Sequence, residues 1–448
     1  MKQLFVSIYQ RFARHRGFRK YLKNTSWILG GQAFRMGIGL VVSIAVARHL
    51  GPEDFGRFNF VQAVLALMSP VAMLGLNHVL RRETVEEPDK RDELLGTWYG
   101  LTLASSLLLF IGAVAITGLS GLPKEDFDLY LILCATLLVH PLGCINTWFF
   151  SQVRAQLSVV SVSGTLLLMA IVRLALIYVD AELRWFALAF LIETLAVTAV
   201  RCFFYVRHYA SLALWRFSRE RAERFLRNSW PLIITGLAVA VNQKVDQLVL
   251  GSLIGKSDLG DYASAVRVCL IWTFVPGMLA TSLFTAIIHA KQRGEGIYRR
   301  RLQYYFDLNA ALGMGIALPL SIFSPWIIDL LYGDQFTGAA PVLAVYAWGT
   351  VFTFLMVARM QCIVAENRMR FSMISTVLGA FVNLGLNLVL VPQFAGVGAA
   401  WASVLSLVFV VFVTTLVWRP TRPIGIQLLQ SLFFFLRLHR LKPSGNKP

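Results

Sequence analysis

The chain of 448 residues is 57% hydrophobic and carries a formal net charge of +18, with a mean hydropathy of +0.63. That composition excludes an ordinary soluble domain. The basic excess is therefore tested first as a membrane-topology signal, and no nucleic-acid partner is expected.

Residues 1–23 form a basic arm. Leu4, Phe5, Ile8 and Phe12 recur at helical spacing among Arg11, Arg14, Arg16, Arg19 and Lys20, which predicts a cytoplasmic helix lying on anionic lipid. Apolar runs of about 20 residues, each long enough to span a bilayer, follow. The first six are 25–50, 58–80, 94–118, 127–150, 157–179 and 185–206; the second six are 229–254, 265–289, 304–331, 340–364, 371–392 and 397–418. The short alternating strands of a transmembrane barrel are absent. An arginine-rich stretch, 207–228, predicts a surface linker helix, and 419–448 an amphipathic tail with a helix near 424–438. The expected architecture is all-α and polytopic. It has a basic arm (1–23), a six-helix lobe (24–206), a linker (207–228), a second six-helix lobe (229–418) and a tail (419–448).

The two halves repeat one another. Asn24 recurs as Asn228, Gly51 as Gly255, Asp54 as Asp258 and Gly56 as Gly260, all 204 residues on, and Phe58 is answered by Tyr262. A looser echo matches Arg154, Ser158 and Ser161 to Arg368, Ser372 and Ser375. Duplicated apolar segments mark transporters built from two pseudo-symmetric lobes. Because both halves start from the same side, the expected operator is a rotation of about 180° about the membrane normal.

Lysine and arginine are distributed unevenly. With the N-terminus inside, the expected cytoplasmic segments hold 31 of them, and the opposite side only Arg57, Lys124, Arg184 and Lys256. This predicts a multi-pass membrane protein with both termini cytoplasmic.

Other motifs carry no function. Ala45-Val46-Ala47 after a basic arm imitates a signal-peptide cleavage site, but Arg35 interrupts the run and the element recurs mid-chain. The five cysteines form no CxxC pair and the seven histidines no ligand spacing, so no metal is expected. No Walker A sequence is present, and no cofactor is expected beyond H+ or Na+ as a coupling ion.

The stretches Asn24-Thr25-Ser26-Trp27 and Ala47-Arg48-His49-Leu50-Gly51-Pro52-Glu53-Asp54-Phe55-Gly56 resemble the opening of polysaccharide flippases in the multidrug/oligosaccharidyl-lipid/polysaccharide exporter superfamily. Val245-Asp246-Gln247-Leu248-Val249-Leu250-Gly251 and Leu259-Gly260-Asp261-Tyr262-Ala263-Ser264-Ala265 resemble its other hallmark. The resemblance implies two six-helix lobes, alternating access and export of undecaprenyl-pyrophosphate-linked oligosaccharide, as in O-antigen, lipopolysaccharide and exopolysaccharide assembly. A polysaccharide polymerase and glycosyltransferases are the candidate protein partners.

Intramembrane charge supplies the candidate site, because an ionisable group in a span is costly and marks function. Arg35 lies near the middle of the first span, Lys244 near the middle of the seventh, Arg267 at the start of the eighth and Arg48 at the end of the first. A cationic cavity suits pyrophosphate or acidic sugars. Arg35, Lys244, Arg267, Arg48, Asn242 and Gln243 are therefore the candidate substrate-binding residues. The alternative for each cation is a structural pair or a snorkelling head. Arg359, near the inner end of its span, reads more readily as structural.

Asp246 and Glu193 are the candidate ion-coupling residues. Asp246 alternatively serves as partner to a cation such as Arg267. Glu193 and Arg173 lie about 12 and 9 Å deep by helical rise, which suits a salt bridge. Pro70, Pro141, Pro276 and Pro319 interrupt spans, as flexing points or as fixed kinks. The alternatives to a flippase are a drug/cation antiporter, which expects an acidic cavity, and a membrane glycosyltransferase or assembly scaffold. An enzyme of that kind expects a large outer loop, and the outer loops here are short.

Overall fold

A computed structural model describes residues 16–434, apart from Leu122. Most of the basic arm and the tail beyond residue 434 lie outside the described residues. The helices in chain order are α1 (Arg16–Ala72), α2 (Leu76–Glu86), α3 (Arg91–Leu119), α4 (Lys124–Cys134), α5 (Cys144–Ser151), α6 (Ala155–Tyr178), α7 (Leu183–His208) and α8 (Arg219–Leu253). They continue as α9 (Lys256–Leu270), α10 (Phe274–Arg293), α11 (Glu295–Ile322), α12 (Ser324–Tyr332), α13 (Ala339–Ala365), α14 (Met369–Val408), α15 (Thr414–Val417) and α16 (Arg422–Leu432). There is no strand among the described residues.

Among the described residues, ten helical stretches are long and apolar enough to cross a membrane, and two of them, Ser26–Ala72 and Met369–Val417, run for 47 and 49 residues. Each is more than twice the length that one crossing needs. Each is also broken, at Gly51 (φ 71°) and at Ala395 (φ 45°). The ten stretches thus accommodate the twelve expected crossings. Gly51 supplies the left-handed turn that a side chain resists, and Pro52 starts the next helix with its fixed φ.

Two of the four prolines accompany a change of helix type. Pro141 lies in a 3-10 stretch, Ala135–Gly143, and Pro276 follows another, Ile271–Thr273. Pro70 and Pro319 fall within the last turn of α1 and α11.

The chain packs as two compact units. The first comprises residues 1–49 and 64–237; the second, 50–63 and 238–448. In the first, Trp98, Phe149, Tyr205 and Phe225 are fully buried in a core where α2, α3, α5, α7 and the start of α8 meet. In the second, Phe306, Leu355, Val411 and Leu428 centre a core built from α10, α11, α13, α16 and the π-helical turn Phe409–Val413.

The segment expected as a linker helix divides instead. Residues 209–218 hold only a 3-10 turn, Leu212–Leu214, and α8 begins at Arg219. The backbone hydrogen bonds go elsewhere. Arg216 N donates to Asp92 O at 3.1 Å, Ser218 N to Thr97 Oγ1 at 3.0 Å, and Trp215 Nε1 to Tyr205 OH at 3.2 Å.

One turn on, the buried Arg221 reaches Glu93, Glu87 and Glu83 at 2.8, 2.9 and 3.4 Å. Hydrogen bonds from Arg221 and Lys90 hold Glu87 down to about 2, while burial raises Glu83 above the usual carboxylate range.

Candidate functional site

A polar cavity of about 550 Å³ opens within the first unit. Its wall on α7 is one helical face: Phe190, Glu193, Thr194, Val197, Thr198 and Arg201 recur every three or four residues. Facing them, α2 contributes Asn77, His78 and Arg81, and α5 contributes Asn146 and Thr147.

Hydrogen bonds organise this wall. Thr147 donates to Asn77 Oδ1 at 3.3 Å, and Ser158 of α6 to Asn146 Oδ1 at 2.5 Å. Arg201 Nη2 donates to that same Ser158 hydroxyl at 3.4 Å, and its buried Nε has no partner. Arg81 lies over the Phe150 ring, 5.7 Å from its centroid. Neither arginine pairs with a carboxylate among the described residues. The one carboxylate in the wall, Glu193, is bound to Arg173 at 2.5 Å. The cavity is therefore positive, and it suits an anion with hydroxyl groups.

Arg35 and Arg48 also belong to the first unit. Arg35 is half-buried, and its Nε donates to Gly31 O at 3.2 Å. It stands within electrostatic reach of Arg201. Arg48 is exposed.

Asn242, Gln243, Lys244, Asp246 and Arg267 belong to the second unit. Asn242 Nδ2 donates to Thr376 O at 3.0 Å, Lys244 Nζ to Gln247 Oε1 at 3.0 Å, and Gln243 is exposed. The Arg267 guanidinium lies over Phe55, 5.6 Å from the ring centroid.

Asp246 is buried and accepts from the Tyr262 hydroxyl and, at 3.0 Å, from Ser403. No cation pairs with it among the described residues; hydroxyls take the place that Arg267 was a candidate to fill. A buried polar chain continues from Ser403. Ser406 Oγ donates to Ser403 O at 2.9 Å, Asn383 to Ser406 at 2.9 Å, and Asn387 to Asn383 Oδ1 at 2.8 Å. The sequence repeat gives Asp246 and Tyr262 apolar counterparts, Val42 and Phe58. Polarity at this place is confined to the second copy.

Sequence reasoning missed Arg81 and Arg201. Arg81 falls just past the expected second span and Arg201 within five residues of the end of the sixth, positions from which a long side chain can reach water. The usable signal was the polar face of α7, which repeats at helical spacing. Arg359, by contrast, is buried on Thr415, Ser375 and Thr414 at 2.7, 3.1 and 3.4 Å, and stacks over Phe371.

Comparison with known proteins places the chain in context. The family pattern described as "Polysaccharide biosynthesis protein" matches residues 21–288, and that of MatE residues 231–389. "Probable low-salt glycan biosynthesis flippase Agl15" of Haloferax volcanii is 23% identical over 376 residues, 80% of this chain and 75% of that one. "Succinoglycan biosynthesis transport protein ExoT" of Rhizobium meliloti is 24% identical, over 72% of this chain and 65% of that one. The solved structure of "Lipid II flippase MurJ, inward closed conformation" matches with a TM-score of 0.71 at 15% identity, covering 95% of this chain and 94% of that one. At that identity the match shows the fold.

Proposed function

We propose, from the premise that this chain belongs to the polysaccharide biosynthesis protein family, that it flips a lipid-linked oligosaccharide across the inner membrane. The substrate would be a cell-surface repeat unit on undecaprenyl pyrophosphate, moved by ion-coupled alternating access through a cationic cavity. The observation that carries this reading is the positive cavity of the first unit, where neither Arg81 nor Arg201 pairs with a carboxylate among the described residues and both stand amid amide and hydroxyl groups. Relatives whose names denote glycan flipping or transport support it. A drug/cation antiporter would need the opposite charge in this wall.

The intramembrane charges then divide into roles. In the first unit Arg35 and Arg48 are anion contacts for the headgroup; within the second unit Lys244 and Arg267, with Asn242 and Gln243, offer anion contacts of their own. Asp246 is the coupling group: its buried carboxylate accepts from the Tyr262 and Ser403 hydroxyls and forms no salt bridge among the described residues, so binding H+ or Na+ would change its charge at low cost to the fold. Glu193, neutralised by Arg173, is structural. Polymerase and glycosyltransferases would supply and consume the substrate.

Reconstitution tests the reading. Purified protein in liposomes should move a fluorescent polyprenyl-pyrophosphoryl oligosaccharide between leaflets, faster with an imposed ion gradient. A rate equal to that of protein-free liposomes overturns it.

A further inference from the structure

The second unit holds another basic space, built from residues outside the expected spans. It is a cleft of about 440 Å³ between α11, which contributes Arg299, and the chain turning from α15 into α16, which contributes Arg419, Arg422, Ile426 and Gln427. Local packing braces its walls. Buried Thr421 donates to Thr415 O at 2.9 Å and folds the 3-10 turn Arg419–Thr421 back on α15. Gly425 lets α16 follow closely, since a Cβ there would press on the Leu416 side chain. Gln427 Nε2 donates to Arg299 O at 2.8 Å, and Gln303 Nε2 to Gln427 O at 3.0 Å, so α16 is tied to α11.

The charge of the cleft exceeds what its own groups offset. Arg299 Nε donates to Glu295 at 2.7 Å, and Arg422 Nε to Leu416 O at 3.1 Å. Neither Arg419 nor Arg422 pairs with a carboxylate among the described residues, and both are exposed. Their guanidinium forks suit phosphate oxygens.

Lipid is the fitting source of that phosphate. Ile426, Leu429 and Phe433 follow Arg422 at helical spacing on one face of α16 and are 45%, 38% and 55% exposed. The other face, Ile424 and Leu428, is buried in the core of the unit. Trp418, stacked on Phe371 with ring centroids 4.5 Å apart, directly precedes Arg419. Tryptophan at the end of a span marks the bilayer interface. An apolar stripe headed by guanidinium groups matches a phosphate above acyl chains, whereas a soluble phosphate would leave the stripe in water.

We propose that this cleft binds the phosphate of an anionic glycerophospholipid of the inner leaflet, with the acyl chains against Ile426, Leu429 and Phe433. The leaflet follows from the topology expected from the lysine and arginine distribution. A zwitterionic ethanolamine headgroup is a poorer match, because its ammonium needs a carboxylate and Glu295 is spent on Arg299. The proposal stands on the second unit alone and does not depend on what the chain transports.

The test titrates the purified full chain, in neutral detergent micelles, with phosphatidylglycerol, and native mass spectrometry reads the affinity of the first lipid bound. Phosphatidylethanolamine and glycerol phosphate are separate probes. Arg419→Gln and Arg422→Gln should each weaken phosphatidylglycerol roughly tenfold, the loss expected for one charge-assisted hydrogen-bonded contact. Arg422→Gln also loses the bond to Leu416 O. The Arg419 side chain makes no hydrogen bond among the described residues, so Arg419→Gln carries the test if the other variant misfolds. Arg227→Gln, at an exposed arginine of α8 on the same expected side, should leave binding unchanged.

Wild-type affinity in the folded cleft variants overturns the proposal. An equal loss in Arg227→Gln would mark general surface charge and overturn it as well. Equal affinity for phosphatidylethanolamine overturns the choice of an anionic lipid. Glycerol phosphate bound as tightly as phosphatidylglycerol would assign the cleft to a soluble phosphate and overturn the lipid.

Discussion

Gly56 and Gly260, which hold the same place in the two halves of the sequence, pack backbone to backbone. A Cβ on Gly56 would overlap the Lys256 carbonyl and lie 3.0 Å from the Gly260 amide nitrogen, and one on Gly260 would overlap the Pro52 carbonyl. Neither obstacle is a side chain that can swing away. Gly56→Ala and Gly260→Ala should each lower stability by about 1–3 kcal/mol through overpacking. Gly39→Ala, where nothing lies within 4 Å, should be neutral or slightly stabilising. Thermal melting of the detergent-solubilised variants checks both.

The Arg221 node gives a pH prediction. Glu87 is held at about 2 by hydrogen bonds from Arg221 and Lys90. A lowered carboxyl contributes stability above its unfolded value and loses it as pH falls toward the folded one. Glu87→Gln should therefore melt lower than wild type at neutral pH, with the difference shrinking below the ordinary glutamate range and gone near pH 2. Buried Glu83, raised by desolvation, has the opposite sign: protonating it stabilises. Arg221→Gln leaves three carboxylates facing one another and should cost roughly 3 kcal/mol.

Arg173 and Glu193 are tested by a double-mutant cycle. Their side chains are 14% and 19% exposed, so the lower end of the buried-pair range applies. Arg173→Ala should cost about 3 kcal/mol, and adding Glu193→Ala should restore part of it. An additive double mutant would show that the pair does not couple.

Asp246→Asn should abolish the dependence of transport on an ion gradient while leaving the melting temperature equal or higher. The neutral isostere removes a buried carboxylate that forms no salt bridge among the described residues. Tyr262→Phe should retain coupling and lower stability by about 1–2 kcal/mol, the cost of one lost hydrogen bond to a charged acceptor. Flux against an imposed gradient, measured beside melting, separates the two effects.

The helices were legible because bilayer spans need long apolar runs, and Gly51 and Pro52 announced the first break. Arg173 and Glu193 could be paired from depth alone, since the helical rise converts sequence position into height. Depth says nothing of azimuth, so the Tyr262 and Ser403 partners of Asp246 were not readable. Residues 50–63 continue α1 in sequence yet pack within the second unit, and no local pattern records such a choice of neighbour. The Gly56/Gly260 repeat was visible as a duplication, but only packing reveals that the two copies touch. The linker misled for a related reason. Arginine-rich text suits a surface helix, whereas Arg216 and Ser218 spend their backbone amides on α3.

The confinement of Asp246 and Tyr262 to one copy bears on stoichiometry. A duplicated transporter with a titratable group at both equivalent places would load two ions, and its rate would rise sigmoidally with ion concentration. Here Val42 and Phe58 stand at the other place, inert to ions at every pH. On the coupling role proposed for Asp246, each cycle carries one ion, and the rate follows a simple saturating curve with a Hill coefficient of about one.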